Sequence, residues 1–297
     1  FVFDLAMDLT QAEVGFEWWF RKPVGMGASI SGMNVDLVPG RTLRITGNAA
    51  LDATQLAATM EYAYQGGKFQ SQHIRVKAPT VDVMSAGKCM QIPYTASGGT
   101  GTDGYYEREA VPGGPETHIA RLGGRFDTLS FLPDGCEQPV GCENVAVQVV
   151  LDSSSVDART GTLTVDAEQG AVPPLGEDWL LPLEPTDPEL RALYEEEPRD
   201  WTYTINAEAL TMPPWKGTAF IGQAFSDETA TGLKHFEADV DGGRLDGSYI
   251  TEKTDNLSEL IARWTNVPAL YILRQHDFPE NLDGRMTGDE HDTMDRK

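Results

Sequence analysis

Between Trp201 and Thr251, apolar and polar residues alternate almost without interruption. Trp201, Tyr203, Ile205, Ala207 and Ala209 are separated by Thr202, Thr204, Asn206 and Glu208, the period of two that gives a strand one apolar and one wet face. Gly217–Phe225, Leu233–Val240 and Arg244–Thr251 continue the pattern, the last two joined through Asp241-Gly242-Gly243. These runs predict a C-terminal antiparallel meander.

The chain opens in the same way. Phe1, Phe3, Leu5, Met7 and Leu9 share one face of a predicted strand Phe1–Thr10. Such a strand either pairs within its own sheet or adds itself to an open edge of another subunit, which makes it the candidate assembly element. Val14 to Arg21 predicts a second strand that places Trp19 on its outer face. Met33–Leu37 and Leu43–Ile45 flank the turn pair Pro39-Gly40 and predict a hairpin.

Residues 51–77 fit two periods. Leu56, Met60 and Tyr64 are spaced for a helix face, but alternation on both sides of Gly66-Gly67 fits a hairpin, which the β surroundings favour. Short strands are expected at Val81–Met84, Cys89–Thr95, Tyr105–Ala110, His118–Leu122 and Arg125–Phe131, with Gly98 to Gly104 as a loop. Val145 to Leu151 then pairs with the strand of Leu163 and Val165.

Two helices are expected to interrupt the strands. Asp187 caps one, with Pro188 in its first turn and Pro198 ending it. Asn256-Leu257-Ser258-Glu259 reads as a capping box opening the other, which runs to Trp264. The expected fold is all-β: an antiparallel β-sandwich or barrel with a C-terminal meander and two short helices. The expected units are 1–166, an acidic Pro-rich arm 167–200, the meander 201–276 and a mobile acidic tail 277–297.

Composition removes some functions. With 46 acidic against 23 basic residues and a net charge of −23, the chain repels nucleic acid and anionic surfaces. No apolar run approaches the roughly 18 residues of a membrane-spanning helix, so no transmembrane segment is expected. A chain beginning at Phe1 is expected either to have lost a leader or pro-segment or to be a trimmed sequence. Cys136 and Cys142 close a turn-rich loop suited to a disulfide, which points to an extracellular, periplasmic or surface location.

Chemistry is sparse. The five histidines show no ligand spacing, and neither a nucleophile elbow nor a phosphate-binding glycine loop is present. No cofactor is expected unless Asp239, Asp241 and Asp246, gathered about a tight turn, hold Ca²⁺. Trp19, Tyr105, Tyr106 and Trp215 lie near loops beside many carboxylates, a combination suited to carbohydrate or to glycoside hydrolysis. The resulting expectation is a non-enzymatic extracellular or surface protein of structural, assembly or interaction type. Its partners would be protein subunits, of its own kind or another. The alternatives are a β-barrel for a lipid or small ligand, and a carbohydrate-binding protein or glycosidase.

Overall fold

The computed structural model describes residues 6–16, 20–38, 42–65, 68–89, 94–110, 117–133, 139–154, 159–171, 200–212, 215–254, 257–269 and 284–295. A short strand β1 (Met7–Asp8) is followed by β2 (Val14–Phe16) and β3 (Phe20–Lys22), which pair only with each other. Then come β4 (Ala28–Val38), β5 (Thr42–Leu51), β6 (Thr54–Gln65), β7 (Lys68–Asp82) and a helix α1 (Val83–Cys89). β8 (Tyr94–Gly98), β9 (Thr100–Ala110), β10 (His118–Pro133), β11 (Val140–Asp152) and β12 (Thr160–Ala171) continue the chain. β13 (Asp200–Met212), β14 (Trp215–Ser226), β15 (Ala230–Val240), β16 (Gly243–Glu252), β17 (Leu257–Pro268) and β18 (Arg285–Asp295) complete it.

The fold is all-β, as expected, and the meander is β13 to β16. Apart from β2 and β3, all strands belong to one mixed sheet of 16 strands, laid out almost in chain order from β1 to β18. Every pairing in it is antiparallel except that of β12 with β13, which run parallel from Thr160–Asp200 to Ala171–Thr211. Among the described residues the sheet neither closes into a barrel nor faces a second sheet of comparable size.

Several expectations are corrected. The capping-box segment is strand β17, because Leu260, Ala262 and Trp264 pair with Tyr249, Gly247 and Leu245 of β16, and a pre-existing sheet edge outweighs a local cap. The one helix among the described residues is α1, where strands were expected; Asp82 caps it by accepting from the Ser85 amide at 3.1 Å. Of the expected loop Gly98 to Gly104, Gly98 ends β8 and Thr100 to Gly104 begin β9, with Gly99 alone as the bend between them. These glycines admit close neighbours: a Cβ on Gly101 would stand 2.6 Å from the Phe126 ring, and one on Gly98 2.3 Å from the Thr128 carbonyl oxygen. The stretch expected to be a mobile tail supplies edge strand β18, with Met286 paired to Val267 and Gly288 to Trp264. β12 and β13 meet across the expected boundaries at 166 and 200, in one continuous sheet. The helix expected from Asp187, and Phe1, Phe3 and Leu5 of the first strand, lie outside the described residues.

Positive φ at non-glycine residues marks where strands lose phase. Asp103 (φ 55), Asn144 (φ 48), Ala219 (φ 51) and Asn266 (φ 54) all lie inside strands. Register shifts accompany Ala219, between Thr218 and Ile221, and Asn266, between Trp264 and Val267. At each such bulge the alternation slips by one residue, so the apolar set stays on the same side while the strand bends. Thus Trp264 and Val267 are both buried although three apart in sequence.

A candidate functional site on the apolar face

The two faces of the sheet differ sharply. Register puts Val76, Tyr106, Leu122, Val149, Leu163 and Tyr203 in one row across β7, β9, β10, β11, β12 and β13. Ala224, Leu233, Tyr249 and Leu260 carry the row on through β14 to β17. None is charged, and ten strands at about 4.8 Å spacing make the row about 43 Å wide. The row beside it on the other face reads Lys77, Tyr105, Gly123, Gln148, Thr164 and Thr204.

The apolar row is only half-buried, Tyr106 apart. The buried clusters are lateral strips of the same face. Ile74, Tyr106, Ala120 and Leu151 form one, and Ala238, Val240, Trp264 and Val267 another. They arise where neighbouring strands touch side by side rather than where two sheets meet.

The two rims of this face differ. At the rim where β7 ends, α1 lies on the apolar side: Val83 joins the buried cluster that runs through Leu129, Val145, Ala167 and Ala207, and Cys89 joins that of Met26 and Leu51. At the opposite rim the apolar face carries polar groups. Tyr62, Gln72, Ala110 and His118 are aligned across β6, β7, β9 and β10, with Arg108 in the next row between Ile74 and Ala120. Gln72 donates to the Tyr62 hydroxyl at 3.2 Å, and Arg108 Nη2 stands 3.3 Å from His118 Nδ1.

The residues singled out from sequence scatter over this frame. Tyr105 and Tyr106, adjacent in sequence, point to opposite faces: Tyr106 is 7% exposed in the apolar clusters, while Tyr105 accepts from Gln148 at 3.2 Å on the polar face. Tyr105 borders a depression of about 350 Å³ with Arg125, Gln148 and Asp166. Beside it, Asn144, Asp166, Glu168, Asn206 and Glu208 line another of about 650 Å³. Trp19 lies outside the described residues, and of Trp215 only the β14 backbone is described.

Asp239 faces Arg244 and Asp246 faces Glu237 on the polar face, while the Asp241 carbonyl accepts from Arg285 at 2.6 Å. Among the described residues no three His, Cys, Asp or Glu side chains converge as a metal site. Met7 pairs with Ile30 at the sheet edge and is 37% exposed.

The expected Cys136–Cys142 disulfide finds no support. Cys142 is a free thiol packed against the Leu129–Val145 cluster, because β11 turns it toward the apolar face, and Cys136 lies outside the described residues. Burial raises the Cys142 thiol above its ordinary pKa.

Sequence reasoning missed the apolar face as a unit and the Arg108–His118 pair within it. The alternation was visible strand by strand, but the sharing of one face by ten strands depends on register. No helix among the described residues is long and apolar enough to cross a membrane. No family model matches the chain, nor does any curated protein or solved structure.

Proposed function

We propose that this protein carries an acyl-chain lipid on the apolar face of its open sheet. The supporting observation is the uncharged, half-buried row from Val76 to Leu260. An apolar surface left partly accessible over that extent marks a site for a ligand, a membrane or a partner. Its chemistry favours an alkyl chain. Protein interfaces need about one hydrogen bond per 100–200 Å², whereas this row offers polar atoms only at its tyrosines. One leaflet of hydrocarbon is about 15 Å thick, so a strip about 43 Å wide accommodates a full-length chain lying across the strands. This reading shares the small-ligand class expected from sequence, with the face of an open sheet in place of a barrel.

Affinity follows from area. A chain of about 15 methylenes with half its surface on the sheet gains about 6 kcal/mol at ~0.8 kcal/mol per methylene, or a Kd of tens of micromolar. The test is titration of the full chain with a fluorescent long-chain fatty acid, together with mass spectrometry of an organic extract of the purified protein. Val149→Asp should weaken binding at least tenfold, and Gln148→Asp, the next residue but on the other face, should leave it unchanged. Equal effects of the two variants would reject the apolar face as the site. Absence of lipid binding together with concentration-dependent self-association through Val149 would return the face to a protein partner.

A further inference from the structure

We infer that the polar face carries a second binding site, a trough for a neutral saccharide chain. Tyr105 is its stacking platform, and Asn144, Gln148, Asp166, Glu168 and Asn206 are its hydroxyl-binding groups. It lies on the side of the sheet away from the apolar row, so it stands or falls independently of the lipid reading.

The platform follows from register. Tyr105 of β9, Gly123 of β10 and Gln148 of β11 are direct neighbours across the strands. The Tyr105 hydroxyl accepts from Gln148 at 3.2 Å, and a Cβ on Gly123 would stand 3.1 Å from Tyr105 Cε1. A ring that crosses the intervening glycine to reach a partner on the second strand over lies along the sheet instead of standing upright on it. One ring face therefore rests on the backbone of β10 and the other looks outward, and the residue is half-buried. Glycine at 123 is what lets the ring lie down.

The polar groups continue from the platform. The depressions of about 350 Å³ and about 650 Å³ adjoin, with Asp166 lining both. In the larger one Asn206 donates to Asp166 at 2.7 Å and Asn144 donates to Glu168, which fixes the direction of all four side chains. Beyond that one bond, each amide keeps a carbonyl oxygen and a second N–H, and each carboxylate keeps further lone pairs. From β9 to β13 the trough crosses four strand spacings, about 19 Å, which accommodates several linked sugar rings.

These groups define the ligand class. A pyranose ring offers a flat C–H face to an aromatic ring and, round its edge, hydroxyls that both donate and accept. Amides interleaved with carboxylates answer hydroxyls in both senses, whereas converging carboxylates alone would call for a cation. A chain of net charge −23 repels acidic polysaccharides, and Asp166 and Glu168 oppose them again at short range. A neutral glycan meets neither barrier.

The test is affinity electrophoresis of the full chain in native gels containing, in turn, mixed-linkage β-glucan, xyloglucan, galactomannan, laminarin or dextran. At least one should retard the protein. Tyr105→Ala should weaken that retardation about tenfold, and Tyr105→Phe should keep most of it. Arg44→Gln, on the polar face at β5, should change nothing. Retardation by none of the five overturns the inference. Retardation that survives Tyr105→Ala puts the saccharide elsewhere and overturns the site. Binding of chitosan alone, the polycation that net charge selects without any site, likewise overturns it. If Tyr105→Ala does not fold, Glu168→Ala and Gln148→Ala, both at exposed side chains, decide in its place: unchanged retardation in both overturns the site.

Discussion

Trp201 covers its parallel neighbour Gly161 so closely that a Cβ on Gly161 would stand 2.6 Å from Trp201 Cε3. The ring also stacks on Tyr203, with centroids 5.8 Å apart and planes at 16°. Glycine is therefore required at the parallel junction of β12 and β13, where the sheet has no tight turn to set its register. Gly161→Val should destabilise the protein by about 1–3 kcal/mol through overpacking. Urea unfolding followed by tryptophan fluorescence measures it, and an unchanged midpoint would mean that the indole simply moves aside.

Cys89 should be nearly inert in the folded protein. It is fully buried, its sulfur lies 3.3 Å from that of Met26, and burial is the main cause raising its pKa to about 11. At pH 8 this leaves about a hundredfold fewer thiolates than an ordinary cysteine. Labelling of Cys89 by a disulfide reagent should be slow in buffer and fast in urea; equal rates would contradict the burial. The unfolded chain loses this proton near pH 9 and the folded one near 11, so stability is full below pH 9 and declines as pH rises toward 11.

The turn between β14 and β15 should weaken in acid. The Asp227 carboxylate accepts from the Thr229 hydroxyl at 2.7 Å, the Thr229 amide at 2.8 Å and the Ala230 amide at 2.9 Å, and these bonds hold its pKa below 3.8. A lowered carboxyl pKa contributes stability above the unfolded value that is lost as pH falls through the folded one. Asp227→Ala should cost about 1 kcal/mol at pH 7. Its difference from the unaltered protein should vanish well below pH 3.8 in parallel urea titrations; a pH-independent difference would assign the loss to packing.

Lys22 holds the segment before β4. It is 2% exposed, and its ammonium donates to the carbonyls of Ala12 at 2.8 Å, Pro23 at 2.7 Å and Thr10 at 3.4 Å. Lys22→Met keeps the stem but strands those acceptors, for about 1–3 kcal/mol. Limited proteolysis should then cut within residues 9–27 faster than in the unaltered chain. Unaltered cleavage with unaltered stability would show that water replaces the ammonium without loss.

Much of the strand pattern was readable one element at a time. The meander, the hairpin around Pro39-Gly40 and the hairpin of β6 and β7 follow from period-2 alternation, since each buries one face with its nearest neighbour. The errors cluster where a contact distant in sequence outweighed a local preference. Leu257 to Trp264 follows a helix-capping pattern, yet pairing with β16 gives Trp264 a place beside Leu245 and Gly288 that a short helix would not. Gly98 to Gly104 looked like a loop because glycine marks loops, while its function is to pass beneath Phe126 and beside Thr128.

By itself, the sequence determined that the chain is β, strongly acidic and built of two-faced strands, because these are properties of composition and of neighbours two residues apart. Tertiary structure alone decided that those strands form one open sheet and that bulges at Asp103, Ala219 and Asn266 keep their apolar sides together. It also placed Arg108 and His118 side by side on the apolar face. Register is a relation between strands, and shifting it by one residue exchanges the two faces; no pattern within a single strand contains that information.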